Sequence, residues 1–146
     1  MGNIAYRNIL VPIDETDMSK RAIDHALHVA KNENGKLILV HVESTHGLEA
    51  VYPKDLSEKM TEFMKKSIRS NIEYAKRYAK DVGIEVQTDI LTGEDVGSDL
   101  IRVAEERKVD LTVMGTESLR TNPIGSLTRW IIAADIGPVL VITSED

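Results

Sequence analysis

Two kinds of segment alternate along the chain of 146 residues, and each has its own spacing of apolar side chains. Short runs dense in Val, Ile and Leu predict β-strands, and most are apolar almost throughout, as in parallel strands buried on both faces. The third run begins with alternating apolar and polar residues, which indicates a half-exposed edge strand. The predicted strands are Arg7–Ile13, Lys36–Val42, Ile84–Leu91, Leu111–Met114 and Val139–Thr143.

One-sided apolar stripes between these runs predict four helices, and the first is expected to be capped by Asp17 or Ser19. Strands and helices therefore alternate, which is typical of an α/β fold whose parallel sheet carries helices on both faces. The segment Ser44–Lys54 lacks periodicity and is predicted to be a loop. The predicted helices are Met18–Asn32, Asp55–Val82, Asp95–Lys108 and Ile124–Asp135.

Composition narrows the function classes. The length suits one domain, so we expect a single domain over residues 1–146. The absence of cysteine excludes disulfide, thiolate zinc and cysteine-nucleophile chemistry. A net charge of −6 and few aromatic residues argue against a nucleic-acid partner. Without a long apolar run or a signal pattern, we expect no membrane partner and a cytoplasmic location.

Candidate ligand-binding residues follow the predicted strands, because open α/β sheets bind ligands beyond the carboxyl ends of their strands. Asp14 follows the first strand and can accept hydrogen bonds from a ribose or a base, or cap the next helix. Gly115 follows the fourth strand, and Gly125-Ser126 opens the last helix. A glycine lets a phosphate approach the backbone, and a helix start supplies free N–H groups. Ordinary turn and cap roles remain open for the same residues.

Catalytic and metal-binding patterns are weak in this sequence. There is no P-loop, no Gly-x-Ser-x-Gly and no evident pairing of a nucleophile with a base, so we predict no catalytic residue and no enzyme. Slow hydrolysis of ATP stays open. His25 and His28 are three apart on the first helix and could share a metal, but without a third ligand they are expected to be surface or partly buried histidines. His41 is expected to be packed or hydrogen-bonded.

Five pieces of sequence, in this order, resemble the universal stress protein family over essentially the whole chain. The resemblance implies an adenine nucleotide alpha hydrolase-like fold: an open five-stranded parallel sheet of order 3-2-1-4-5, with helices on both faces. It also implies a homodimer. The pieces are Asn8–Asp14, Leu37–Val42, Val109–Gly115, Gly125-Ser126 and Gly137–Ile142.

The same resemblance implies an adenine nucleotide, ATP or AMP, with Mg²⁺ only if a triphosphate binds. Many members bind ATP through Gly, two residues, Gly, nine residues and Gly-Ser/Thr. This chain departs twice: Ser118 replaces the second glycine, and six residues rather than nine separate it from Gly125. The residues implied to contact the nucleotide are Pro12, Ile13, Asp14, Val42, Met114, Gly115, Gly125, Ser126 and Leu127.

Three functional readings follow. The first is a dimeric stress-response module that binds an adenine nucleotide, and the second is a nucleotide-independent dimeric interaction protein of the same fold. In both, the apolar fifth strand Val139–Ile142 is the predicted dimer edge, because such an edge invites pairing. The third, a phosphoacceptor receiver domain, is disfavoured because no Lys-Pro follows the fifth strand and the second helix is too long.

Overall fold

The computed structural model describes residues 3–44, 47–116 and 126–143, except the side chains of Ser44 and Ser126. Within them, five parallel strands form one sheet in the order β3-β2-β1-β4-β5, which confirms the implied order. The first strand therefore lies at the centre of the sheet. The strands are β1 Asn8–Pro12, β2 Lys36–Ser44, β3 Val86–Gly93, β4 Leu111–Gly115 and β5 Val139–Ile142.

The predicted helices appear in the predicted order, with ends shifted by one to a few residues. The 3-10 turn Leu48–Ala50 lies inside the segment predicted to be a loop. The longest helix ends at Gly83, whose φ of 74° is left-handed and needs no Cβ to be accommodated. The helices are α1 Asp17–Glu33, α2 Lys54–Val82, α3 Val96–Glu106 and α4 Ser126–Ala133.

Apolar cores cover both faces of the sheet, as expected for strands that are apolar throughout. On β1, Ile9 and Val11 face one core and Leu10 faces the other. The first core receives Ile23 of α1 and Ile68 of α2, and the second receives side chains of α3 and α4. Because successive strand side chains alternate between faces, both sets must be apolar, and the central strand is buried on both sides.

The start of α1 differs from the sequence prediction, which expected a cap from Asp17 or Ser19. Thr16 occupies the cap position without a side-chain cap bond, and Asp17 is the first helical residue. Ser19 instead exchanges hydrogen bonds with Asp14, at the end of the preceding strand segment. A contact between the strand end and the helix thus replaces the local cap.

The two edges of the sheet differ in length and exposure. β3 pairs with β2 over eight residues and is only partly buried, which confirms the predicted edge strand. β5 has four residues and pairs with β4.

Among the described helices, none combines the length and the apolarity that a bilayer crossing requires.

Candidate functional site

The carboxyl ends of β1 and β4 lie side by side because the two strands are neighbours, with Ile9 paired to Leu111. A small cleft of about 60 Å³, hereafter the β1–β4 cleft, opens beyond them. The first turns of α1 and α4 form its remaining walls. This is the position that the topology of an open α/β sheet favours for a ligand.

The β1–β4 cleft brings together six of the nine residues named from sequence. Val42 lies elsewhere, in a separate cavity at the end of β2. Gly125 and the altered motif position Ser118 lie outside the described residues, and Ser126 is placed only as the first residue of α4. The six that line the cleft are Pro12, Ile13, Asp14, Met114, Gly115 and Leu127.

The Asp14 carboxylate is held in one orientation. Its Oδ1 accepts hydrogen bonds from the Thr16 N–H at 2.8 Å, the Thr16 hydroxyl at 2.5 Å and the Ser19 hydroxyl at 2.9 Å. The Asp14 N–H in turn donates to the Ser19 oxygen at 2.8 Å. No hydrogen bond within the described part of the chain engages Oδ2. That oxygen is therefore left to accept from a ligand hydroxyl or amine.

Asn71 of α2 fixes the backbone of the same loop, and sequence reasoning missed it. Its Nδ2 donates to the main-chain oxygen of Asp14 at 2.8 Å and to that of Thr16 at 3.1 Å. The residue is 2% exposed. An asparagine between the apolar positions Ile68 and Ile72 of an amphipathic helix was the available signal, since buried polar groups need partners.

Met18 covers the backbone of Gly115, a second feature that the sequence did not reveal. From the position that a Gly115 Cβ would take, the Met18 Cβ lies 3.1 Å away and its Cε 3.3 Å away. The resulting cleft of about 60 Å³ is far below the about 300–1,000 Å³ of typical small-molecule sites. A nucleotide therefore requires the flexible Met18 side chain to move.

The helix α4 contacts α3 through Trp130. A Cβ at Gly97, in the first turn of α3, would overlap the indole ring of Trp130. The Asp95 carboxylate caps α3 by accepting from the Ser98 N–H at 3.2 Å, and this bond lowers the pKa of Asp95. Trp130 lies about one turn after Leu127, which lines the β1–β4 cleft, so the contact between α3 and α4 supports the helix that carries Leu127.

A larger cavity of about 420 Å³, hereafter the β2 cavity, lies beyond the end of β2. Val42 and His41 line it with Met64 and Lys65 of α2. The His41 Nδ1 lies 2.9 Å from the Ile13 carbonyl oxygen, which can only accept, so Nδ1 carries the proton. The burial of His41 and this hydrogen bond confirm the prediction that His41 is packed or hydrogen-bonded. Because Ile13 also lines the β1–β4 cleft, this bond links the walls of both cavities.

Metal-binding geometry is absent from the described ranges, where no group of three or more His, Asp or Glu side chains is arranged to hold an ion. His25 and His28 are exposed on α1, as expected for surface histidines.

Comparisons with known proteins follow the same architecture. A family model described as the universal stress protein family matches residues 5–143. A universal stress protein of Methanocaldococcus jannaschii is 27% identical over 144 residues, which cover 97% of this chain and 84% of that protein. One of Bacillus subtilis is 28% identical over 147 residues, which cover 94% and 99% of the two chains.

A solved structure of a universal stress protein in complex with cAMP has the same fold. It superposes with a TM-score of 0.73 at 26% identity, covering 97% of this chain and 100% of that chain. The comparison shows that this chain shares its fold with a universal stress protein that was solved in complex with cAMP.

Proposed function

Because the chain belongs to the universal stress protein family, we propose that it is a dimeric stress-response module that binds an adenine nucleotide, ATP or AMP. The carrying observation is the Asp14 carboxylate, which three hydrogen bonds hold beside the start of α4. The solved relative in complex with cAMP supports an adenine nucleotide as the class of ligand. Mg²⁺ belongs to the proposal only with a triphosphate.

The proposed position of the nucleotide follows from the size of the β2 cavity and from the charge of Asp14 in the β1–β4 cleft. The β2 cavity, of about 420 Å³, is in the size range of small-molecule sites and receives the base. The ribose hydroxyls donate to Oδ2 of Asp14. Among the described residues that line the β1–β4 cleft, Asp14 supplies the only charge, and it is negative. The phosphate is therefore proposed to lie away from it, at the first turn of α4, whose N–H groups have no partner within the helix.

The proposed activity is binding rather than catalysis. Asp14 Oδ1 already accepts three hydrogen bonds, and His41 Nδ1 donates to a main-chain carbonyl. Neither arrangement pairs a nucleophile with a base, which covalent catalysis requires. Occupancy of the site would instead bias the loops around it and so a protein-binding surface, in the cytoplasm.

Titration calorimetry with AMP, ADP and ATP, with and without Mg²⁺, tests this function. Asp14→Asn keeps Oδ1 but replaces the acceptor Oδ2 by a donor, so we expect affinity to fall about tenfold or more. Asp24→Asn is the matched control, because Asp24 accepts one hydrogen bond from Tyr74 on the outer surface of α1. A native protein that binds none of these nucleotides at millimolar concentration contradicts the proposal.

The dimer is proposed to form through β5. This strand is an edge of the sheet, and its Leu140 is 37% exposed. Leu140→Lys should shift the native dimer towards monomer in sedimentation velocity, because the charge is desolvated when two edges pair. Ile90→Lys is the matched control, because Ile90 is 58% exposed on the opposite edge strand. A native monomer, or equal effects of both variants, rules out this interface.

The alternative is a nucleotide-independent dimeric interaction protein, which the small cleft under Met18 favours. Met18→Ala distinguishes the two. If the cleft is a nucleotide site, removing this side chain should raise the affinity for AMP several-fold, because the ligand no longer displaces it. If neither the native protein nor Met18→Ala binds AMP, and both remain dimers, the alternative stands.

A further inference from the structure

A separate cavity, hereafter the α1–α2 cavity, lies between the second half of α1 and the second half of α2. Its volume is about 340 Å³, which is within the about 300–1,000 Å³ of typical small-molecule sites. None of its described lining residues lines the β1–β4 cleft or the β2 cavity. The α1–α2 cavity is therefore independent of the proposed nucleotide site.

Apolar and aromatic side chains form much of the α1–α2 cavity. Leu27 of α1 is 8% exposed and belongs to the first core. Tyr74 and Tyr78 lie one turn apart on α2, with ring centroids separated by 4.7 Å and ring planes inclined by 54°. Tyr78 is 46% exposed and Val82 40% exposed, so both keep apolar surface in contact with water. A ligand with an apolar part would remove that surface from water.

Two carboxylates, one from each helix, line the same cavity. Asp24 of α1 accepts a hydrogen bond from the Tyr74 hydroxyl at 2.5 Å, which holds it beside the aromatic pair. Burial, together with Asp24, raises the pKa of Tyr74 to about 12, so this hydroxyl remains a donor at neutral pH. Asp81 lies seven residues after Tyr74, which is about 10 Å along a helix. Neither carboxylate forms an ion pair within residues 3–44, 47–116 and 126–143.

The cations of the chain itself leave the α1–α2 cavity negative. The Lys20 Nζ lies 5.9 Å from the centroid of the Tyr74 ring, within the about 6 Å of a cation–π interaction, but Lys20 does not line the cavity. Lys31 and His28 do line it, and both are exposed. With histidine neutral, the two carboxylates face one ammonium group, so the lining has an excess of negative charge.

We propose that the α1–α2 cavity binds a small organic cation, an aliphatic diamine. Its chain lies on the tyrosine rings, and its two ammonium groups meet Asp24 and Asp81. Carboxylates form charge-assisted hydrogen bonds with ammonium groups, and tyrosine rings attract them. An inorganic cation has no chain to cover the exposed apolar surface of Tyr78 and Val82. The site is additional to the proposed function, and loss of nucleotide binding leaves it unaffected.

A titration with putrescine, an aliphatic diamine, followed by NMR of the tyrosine ring protons, tests this proposal. The chain has four tyrosines, and Tyr6 and Tyr52 do not line the cavity. We expect the signals of Tyr74 and Tyr78 to shift together and to saturate, while those of Tyr6 and Tyr52 stay in place. Butylamine, with one ammonium group, should bind several-fold more weakly. Potassium chloride at equal ionic strength should cause no saturable shift.

Substitutions separate the cavity from the overall acidity of the chain. Asp81→Asn should weaken putrescine about threefold to fivefold, as for an ion pair exposed to water. Lys31→Gln should strengthen it several-fold, because it removes a competing positive charge. Asp14→Asn is the matched control, because it removes a carboxylate from the β1–β4 cleft and should leave putrescine affinity unchanged.

Three results overturn the proposal. If the Tyr74 and Tyr78 signals do not shift at millimolar putrescine, the cavity is not a diamine site. If all four tyrosines respond alike, or Asp14→Asn weakens binding as much as Asp81→Asn, putrescine is attracted only by the net charge of −6. Equal affinities for putrescine and butylamine show that the two carboxylates do not act together.

Discussion

The two walls of the β1–β4 cleft are built differently. On the β1 wall, the carboxylate and main-chain oxygen of Asp14 both receive hydrogen bonds, from Thr16, Ser19 and Asn71. On the β4 wall, the Thr116 hydroxyl has no partner among the described residues, and Met18 rests on the Gly115 backbone. The first wall is held by hydrogen bonds in the ligand-free structure, whereas the second has an unpaired hydroxyl and a backbone covered by one side chain. Preorganisation is thus confined to one side of the site.

Breaking the β1 wall should have the largest effect. Asn71→Leu removes the two hydrogen bonds that the buried Asn71 side chain donates to part-buried main-chain oxygens, so we expect the free energy of unfolding to fall by about 3 kcal/mol. Urea denaturation measures this change. Asn32→Leu is the control, because Asn32 makes the same type of bond, to the His28 oxygen, at an exposed site. Equal losses in the two variants would show that Asn71 does not fix the loop.

Disturbing the contact between α3 and α4 should have a smaller effect. In Gly97→Ala the new methyl group overlaps the Trp130 indole, so that ring or α4 with it must shift, at an expected cost of about 1–3 kcal/mol. Trp130 is the only tryptophan in the chain, and its fluorescence therefore reports the shift directly. In the double variant Gly97→Ala/Trp130→Ala the two losses should be less than additive. Strict additivity would mean that the two residues do not support each other.

Acid should loosen the start of α3 slightly, which is the smallest predicted effect. The hydrogen bond from Ser98 lowers the pKa of Asp95 from 3.8, so the ionised form is favoured in the fold. This stabilisation is present above pH 3.8 and is lost as the pH falls through the lowered folded pKa. Trp130 fluorescence should change over that range in the native protein and less in Asp95→Asn. Identical acid titrations would exclude the Asp95 cap as the cause.

The sequence was sufficient to predict the fold because the patterns of apolar residues that indicate strands and helices are local. Strands apolar on both faces and helices with one apolar stripe fix the class, and the resemblance supplied the strand order. The details of the site depend on distant residues instead. Asp17 or Ser19 was predicted to cap α1, but the Ser19 hydroxyl instead donates a hydrogen bond to the Asp14 carboxylate. Met18 lies against Gly115, which is far along the chain. Asn71 is 57 residues from the loop that it holds.

The central position of β1 has a consequence for synthesis on the ribosome. The Asp110 carboxylate, just before β4, accepts from the N–H of Arg7, 103 residues earlier, and from that of Asn8. While the chain emerges, β1 can pair with β2 but keeps one side open until β4 is made. Such long-range pairing slows folding. The β1–β4 cleft is thus one of the last features to form, and a nascent chain that lacks β4 and α4 does not contain it.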